Sequence, residues 1–107
     1  MYTITVRMHD GMVLKRDLKD GTSIVVGRSS RASDFAIEKD QAISSKHLRI
    51  VCEGGKLYIE DLGSTNGTFV ERGNSETLEQ LQPGERIPLQ TGQAVSIGES
   101  DLRIEPE

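Results

Sequence analysis

No stretch of this sequence keeps an apolar stripe at the 3.6-residue spacing of a helix over a helix-sized window. Glycine-centred turns divide it instead, at Asp10-Gly11, Asp20-Gly21, Gly54-Gly55, Asn66-Gly67 and Pro83-Gly84, and the runs between them are short. Only Leu78-Glu79-Gln80-Leu81 leaves room for one helical turn, and its spacing is ambiguous. About ten to eleven short strands joined by frequent turns predict an all-β fold, an antiparallel β-sandwich.

Tyr2, Ile4, Val6 and Met8 alternate with Thr3, Thr5 and Arg7, the period of a half-buried strand. After Asp10-Gly11, the alternation from Met12 to Leu18 predicts a second strand paired with the first as a hairpin. Ser23 to Val26 is a short apolar run that ends at Gly27-Arg28, so Arg28 is expected at a strand end. Phe35 to Ile37 predicts a brief strand, and Glu38 to Ser45 a long loop. His47 to Cys52 and Lys56 to Asp61 predict a hairpin about Gly54-Gly55. Thr68 to Glu71 is a further strand, followed by a turn at Arg72 to Ser75. Strands at Arg86 to Leu89, Ala94 to Ile97 and Leu102 to Ile104 complete the pattern.

A length of 107 residues suits one compact domain with one core, so residues 1–107 are expected to form a single domain. The sequence ends just after its last predicted strand, which suggests a module of a longer, multidomain protein. Thirteen Lys and Arg against seventeen Asp and Glu leave a formal charge of −4. Such a field does not attract nucleic acid or an anionic membrane, so an anion has to be caught by a local basic cluster. Cys52 is the single cysteine, which excludes an internal disulfide and a cysteine metal cluster, and its apolar neighbours predict a buried structural thiol. The first 25 residues hold no continuous apolar core and carry Arg7, Asp10, Lys15, Arg16 and Asp17. Neither a signal peptide nor a membrane span is expected there, and the expected compartment is the cytoplasm. No metal and no cofactor are expected.

Three loops carry groups suited to phosphate. The first presents Arg28, whose guanidinium offers a planar fork of donors and stays charged. The second is Ser44-Ser45-Lys46-His47, with two hydroxyls and a cation, and the third is Ser64-Thr65-Asn66-Gly67, with two hydroxyls and an amide. Each alone has an ordinary reading: an exposed arginine is a solvated charge, a Ser-Ser loop is turn chemistry, and Asn-Gly is common turn punctuation. His47 opens a strand beside Leu48, and no acid and nucleophile pair with it as a catalytic set.

Taken in order, Gly27-Arg28, Ser44-x-x-His47 and Ser64-Thr65-Asn66-Gly67 resemble the motifs of the forkhead-associated (FHA) family of phosphothreonine-binding domains. The resemblance extends over the strand rhythm from Thr3 to Ile104 and implies an FHA-like sandwich. It further implies that Arg28 and Ser44 are direct phosphate ligands, that Thr65 completes the phosphate cradle, and that Ser45 and Lys46 contribute from the same loop. By the same resemblance Asn66 holds the backbone of the ligand, while Gly27, His47 and Gly67 shape or buttress the loops. Ala42, Arg31 and Arg72 are candidates for contacts beyond the phosphothreonine, with no motif to choose among them.

Physical chemistry is consistent with that role. A phosphothreonine carries about −1.5 to −2 charges at neutral pH and needs several convergent donors. Hydrogen bonds to a charged group are worth about 1.5 to 3 kcal/mol each, enough for an arginine and two hydroxyls to separate phosphorylated from plain threonine. A pocket for the threonine methyl adds roughly 1 kcal/mol over phosphoserine. The expected function is a non-catalytic module that recognises phosphothreonine in a partner protein or in its own parent chain, monomeric as an isolated domain. The competing reading is a phosphate-independent protein-protein assembly domain on the same sandwich. An enzyme is disfavoured, because neither a clustered metal set nor an activated nucleophile is present.

Overall fold

The computed structural model describes residues 1–71 and 78–107. Eleven strands are assigned among them: β1 (Tyr2–Met8), β2 (Val13–Leu18), β3 (Thr22–Gly27), β4 (Phe35–Ala36), β5 (Leu48–Glu53), β6 (Lys56–Asp61), β7 (Thr68–Glu71), β8 (Leu78–Gln80), β9 (Arg86–Leu89), β10 (Val95–Ile97) and β11 (Ser100–Pro106). They form a six-stranded sheet in the order β2-β1-β11-β10-β7-β8 and a five-stranded sheet in the order β4-β3-β5-β6-β9.

Alternation decides which side chains meet between the sheets. Ile4 and Val6 of β1, Leu102 and Ile104 of β11, and Val95 and Ile97 of β10 point inward from one sheet. Ile24 and Val26 of β3, Leu48, Ile50 and Cys52 of β5, and Ile59 of β6 face them from the other. Fully burying an aliphatic side chain of this size stabilises by about 1.5 to 3 kcal/mol, so this shared layer holds the sheets together. Cys52 is buried in it as a free thiol, and burial pushes its pKa up, helped by the Asp20 carboxylate.

The predicted hairpins form where glycine supplies positive φ. Gly11 closes β1–β2 at φ 91°, and Gly54 and Gly55 close β5–β6 at φ 60° and 75°, the twist that suits a two-residue turn. The ambiguous Leu78–Leu81 run is resolved as strand through Gln80, because β8 pairs with β7 in the register Phe69↔Gln80. One strand pair departs from the antiparallel expectation: β4 runs parallel to β3, with Val26 opposite Phe35. Asp34 closes that excursion, since its carboxylate accepts the Val25 N–H at 2.9 Å and its own N–H donates to the Val25 carbonyl at 2.8 Å. The turn predicted at Arg72 to Ser75 lies outside the described residues. Among the described residues no helix is long and apolar enough to cross a membrane.

Candidate functional site

Strand register brings the predicted loops together. Val26 lies opposite Leu48, and Leu48 opposite Asp61, so the chain leaves β3, enters β5 and leaves β6 at one end of the five-stranded sheet. Arg28 therefore follows β3 at the same end where Ser44–His47 precedes β5 and residues 62–67 follow β6. The last of these loops crosses to the six-stranded sheet, because β6 and β7 belong to different sheets. Its Asn66-Gly67 pair is thus an inter-sheet connection, and only Gly67 of the two takes positive φ, at 88°.

The first two loops are stitched through the Ser44 and Ser45 carbonyls. Arg28 N–H donates to the Ser44 carbonyl at 2.9 Å, and the Ser33 hydroxyl donates to the Ser45 carbonyl at 2.6 Å. Gly27 makes this approach possible: a Cβ there would lie 2.1 Å from the Ser45 carbonyl oxygen and 2.5 Å from Ser33 Oγ. No rotamer relieves a clash with backbone, so glycine is required by contact here and not by φ.

The second and third loops are joined by His47 and Ser44. His47 is fully buried, its Nδ1 accepts the Ser44 N–H at 3.1 Å, and its Nε2 meets the Gly67 carbonyl at 2.9 Å. An acceptor at Nδ1 fixes the proton on Nε2, so the ring is the neutral tautomer that donates to Gly67. Burial holds its pKa below the ordinary value against the Gly67 hydrogen bond and the Asp61 and Asp40 charges, which raise it. Ser44 Oγ accepts the Thr65 N–H at 2.9 Å, which leaves its own hydroxyl proton to donate. With both ring nitrogens engaged, His47 has no free position to act as a general base.

Two buried carboxylates shape the loops, and neither was singled out from the sequence. Asp61 accepts from Gly63 N at 2.8 Å, Ser64 N at 2.9 Å, Ser64 Oγ at 2.6 Å and Thr68 Oγ1 at 2.7 Å. Burial alone would raise its pKa, but the bonds from Ser64, Thr68 and Gly63 outweigh that and hold it below the usual carboxylate value. An acid followed two and three residues later by free backbone donors is a local turn signal, so this one was readable in principle. Asp40 bonds Ala42 N locally, and also Glu99 N and Ser100 Oγ from the far end of the chain, a partnership no local pattern announces.

Several donors at this end remain uncommitted. Lys46, Ser45 Oγ and Thr65 Oγ1 have no hydrogen-bond or ion-pair partner among the described residues, and Ser45, Lys46 and Thr65 are exposed. Arg28 makes one long side-chain bond, from a terminal nitrogen to Gln41 Oε1 at 3.3 Å, and its buried Nε has no partner. Asn66 is exposed and donates through Nδ2 to the Ala42 carbonyl at 2.9 Å, with its side-chain oxygen unpartnered among the described residues. Arg31 is exposed on the loop after β3, Ala42 is half-buried, and Arg72 lies outside the described residues. The described residues hold no cluster of three or more metal-ligating side chains.

Comparison with known proteins places the fold in a family. The family model described as FHA domain matches residues 24–98, more than half of the chain. An FHA domain-containing protein of Arabidopsis thaliana is 43% identical over 83 residues, 78% of this chain and 20% of that protein. FhaB of Mycobacterium tuberculosis is 31% identical over 78% of this chain and 47% of its own length, so the chain spans between a fifth and a half of these relatives. The solution structure of an FHA domain from Arabidopsis thaliana superposes with a TM-score of 0.75 at 34% identity, covering 97% of this chain and 83% of that one. An FHA domain solved in a study of phosphothreonine-dependent FHA interactions superposes with a TM-score of 0.72 at 28% identity, covering 98% and 97%.

Proposed function

The chain belongs to the FHA domain family, and from that premise we propose that residues 1–107 form one non-catalytic module that binds phosphothreonine in a partner protein or in its own parent chain. The observation that carries this reading is the set of uncommitted donors on loops braced by hydrogen bonds: Arg28, the Ser44 hydroxyl, Ser45, Lys46 and Thr65. A dianionic phosphate needs such a set, and the bracing lowers the cost of ordering the loop backbones on binding. A related solved domain is described by its phosphothreonine-dependent interactions, which supports the same chemistry here.

In this reading Arg28 and Ser44 are direct phosphate ligands, Thr65 completes the cradle, and Ser45 and Lys46 add donors from the loop before β5. Asn66 grips the peptide backbone with the polar capacity left after its bond to Ala42. Gly27, His47 and Gly67 support the loops. The engaged ring of His47 supports a binding role over turnover. The module acts as a cytoplasmic monomer, without metal or cofactor, and takes neither nucleic acid nor membrane as partner, as its net charge of −4 supports.

The test is calorimetric titration with matched peptides that differ only in phosphate on one threonine, drawn from an oriented phosphothreonine library. Binding confined to the phosphorylated peptide is expected. Equal binding of both forms establishes the phosphate-independent assembly domain in its place.

A further inference from the structure

Asp40 lies on the loop between β4 and β5, is 3% exposed, and is not among the residues that face ligand in the reading above. Its Oδ1 accepts the Ala42 N–H at 3.0 Å, and its Oδ2 accepts the Glu99 N–H at 2.9 Å and the Ser100 hydroxyl at 2.7 Å. One carboxylate thus holds a loop beside the binding end and the β10–β11 turn together. The turn is seated closely on it: a Cβ at Gly98 would lie 2.8 Å from Asp40 Oδ1 and 2.7 Å from the Ile43 side chain. The loop is tightened from within by Asp40 N–H to the Ile37 carbonyl at 3.3 Å and by Ile43 N–H to the Asp40 carbonyl at 3.2 Å.

The consequence reaches Asn66. The residue whose N–H is held by Asp40, Ala42, presents its carbonyl to Asn66 Nδ2 at 2.9 Å. Asn66 is exposed, and this is the single hydrogen bond of its side chain among the described residues. We propose that Asp40 is a positioning residue for peptide binding: by tying the Ala42 peptide to Glu99 and Ser100 it holds the acceptor that presets the Asn66 side chain. This rests on the phosphothreonine reading and adds to it the β10–β11 turn as part of the binding apparatus. Leaving a side chain to be ordered on binding weakens affinity by about threefold to tenfold, which is the size of effect expected.

The experiment is a double-mutant cycle on the intact chain, titrated with a phosphothreonine peptide. Asp40→Asn turns one acceptor oxygen into a donor that faces donors, and Ser100→Ala removes one hydroxyl while the carboxylate stays. Each is expected to weaken the peptide about threefold to tenfold in the parent and to have little further effect once Asn66→Ala is present, because both losses run through the same side chain. In the ligand-free protein, the side-chain amide resonances of Asn66 shift in both variants. Should Asp40→Asn not fold, Ser100→Ala decides alone. Equal fold-losses with and without Asn66, or unchanged Asn66 amide resonances, overturn the proposal and leave Asp40 a support of the fold. Those results are separable from failure of the underlying reading, in which the parent itself does not distinguish phosphorylated from plain peptide and the proposal falls with it.

Discussion

His47 reaches Gly67 on the neighbouring loop through a 2.9 Å hydrogen bond at Nε2, while its Nδ1 holds the Ser44 N–H at 3.1 Å. The buried ring is a spacer of fixed length, and what it separates are the Ser44 loop and the Thr65–Gly67 turn. His47→Ala leaves the Gly67 carbonyl and the Ser44 N–H without their partner, at a cost of about 1 to 3 kcal/mol for buried groups. The variant is expected to melt at lower temperature and to bind phosphopeptide more weakly through loop displacement. A variant that melts like the parent yet does not bind identifies His47 as a direct ligand, against the role proposed here.

The same ring sets a pH dependence. Its folded pKa is lowered by burial, so the unfolded chain takes up a proton that the folded one refuses. The His47 contribution is therefore constant above about pH 6.5 and is lost as pH drops below that value, where the unfolded histidine titrates. Asp61, also lowered, adds a separate loss only below about pH 4, as its hydrogen-bonded carboxylate is forced to protonate. Denaturant titrations at a series of pH values are expected to show both windows. His47→Gln removes the upper window and keeps the lower, and an upper window that persists in that variant assigns it to other groups.

Gly27 offers a sharper geometric test. Gly27→Ala places a methyl 2.1 Å from the Ser45 carbonyl oxygen, so β3 and the loop before β5 have to move apart. Overpacking of this kind costs about 1 to 3 kcal/mol. Because Arg28 N–H bonds Ser44 in the same place, affinity for phosphopeptide is expected to fall along with melting temperature. Retention of parental affinity and stability would mean that the loop shifts freely, and that its position in the parent is not what aligns Arg28 with Ser44.

Strand periodicity and glycine turns were legible because they are local. The hairpins of β1–β2 and β5–β6 were read from alternation and from Asp10-Gly11 and Gly54-Gly55. Leu78–Leu81 was ambiguous because its spacing suits one helical turn, and only pairing with Phe69–Glu71 decides for strand. The parallel β3–β4 pair rests on two residues of β4, too few for any period to register. At the end of the sandwich where the three loops meet, Arg28, Ser44 and Asn66 stand out by chemistry and order. Asp40 did not, since two of its three donors come from Glu99 and Ser100, some sixty positions away. The resemblance gave Asn66 a ligand-facing role, while its contact with Ala42 depends on two loops being folded side by side.

That contact sharpens the expectation for Asn66, whose proposed task is to hold the ligand backbone and not its phosphate. Free inorganic phosphate and phosphothreonine amino acid offer no peptide backbone to grip, so they report on the cradle alone. Asn66→Ala is expected to weaken phosphopeptides by about 1 to 3 kcal/mol, the range for polar groups left unpaired, and to leave the weak binding of free phosphate nearly unchanged. Arg28→Ala is expected to weaken both, and Arg28→Lys to restore little of either, because an ammonium is a point charge and cannot present two parallel donors. The hydrogen bonds that join the loops, Arg28 N–H to the Ser44 carbonyl and Thr65 N–H to Ser44 Oγ, do not depend on the Arg28 or Asn66 side chains, so both variants are expected to keep the parental circular dichroism. Calorimetry on the two variants with peptide and with phosphate separates phosphate capture from backbone capture. Equal losses for free phosphate and peptide in Asn66→Ala would show that Asn66 shapes the phosphate cradle itself, and the division of labour between Arg28 and Asn66 would fail.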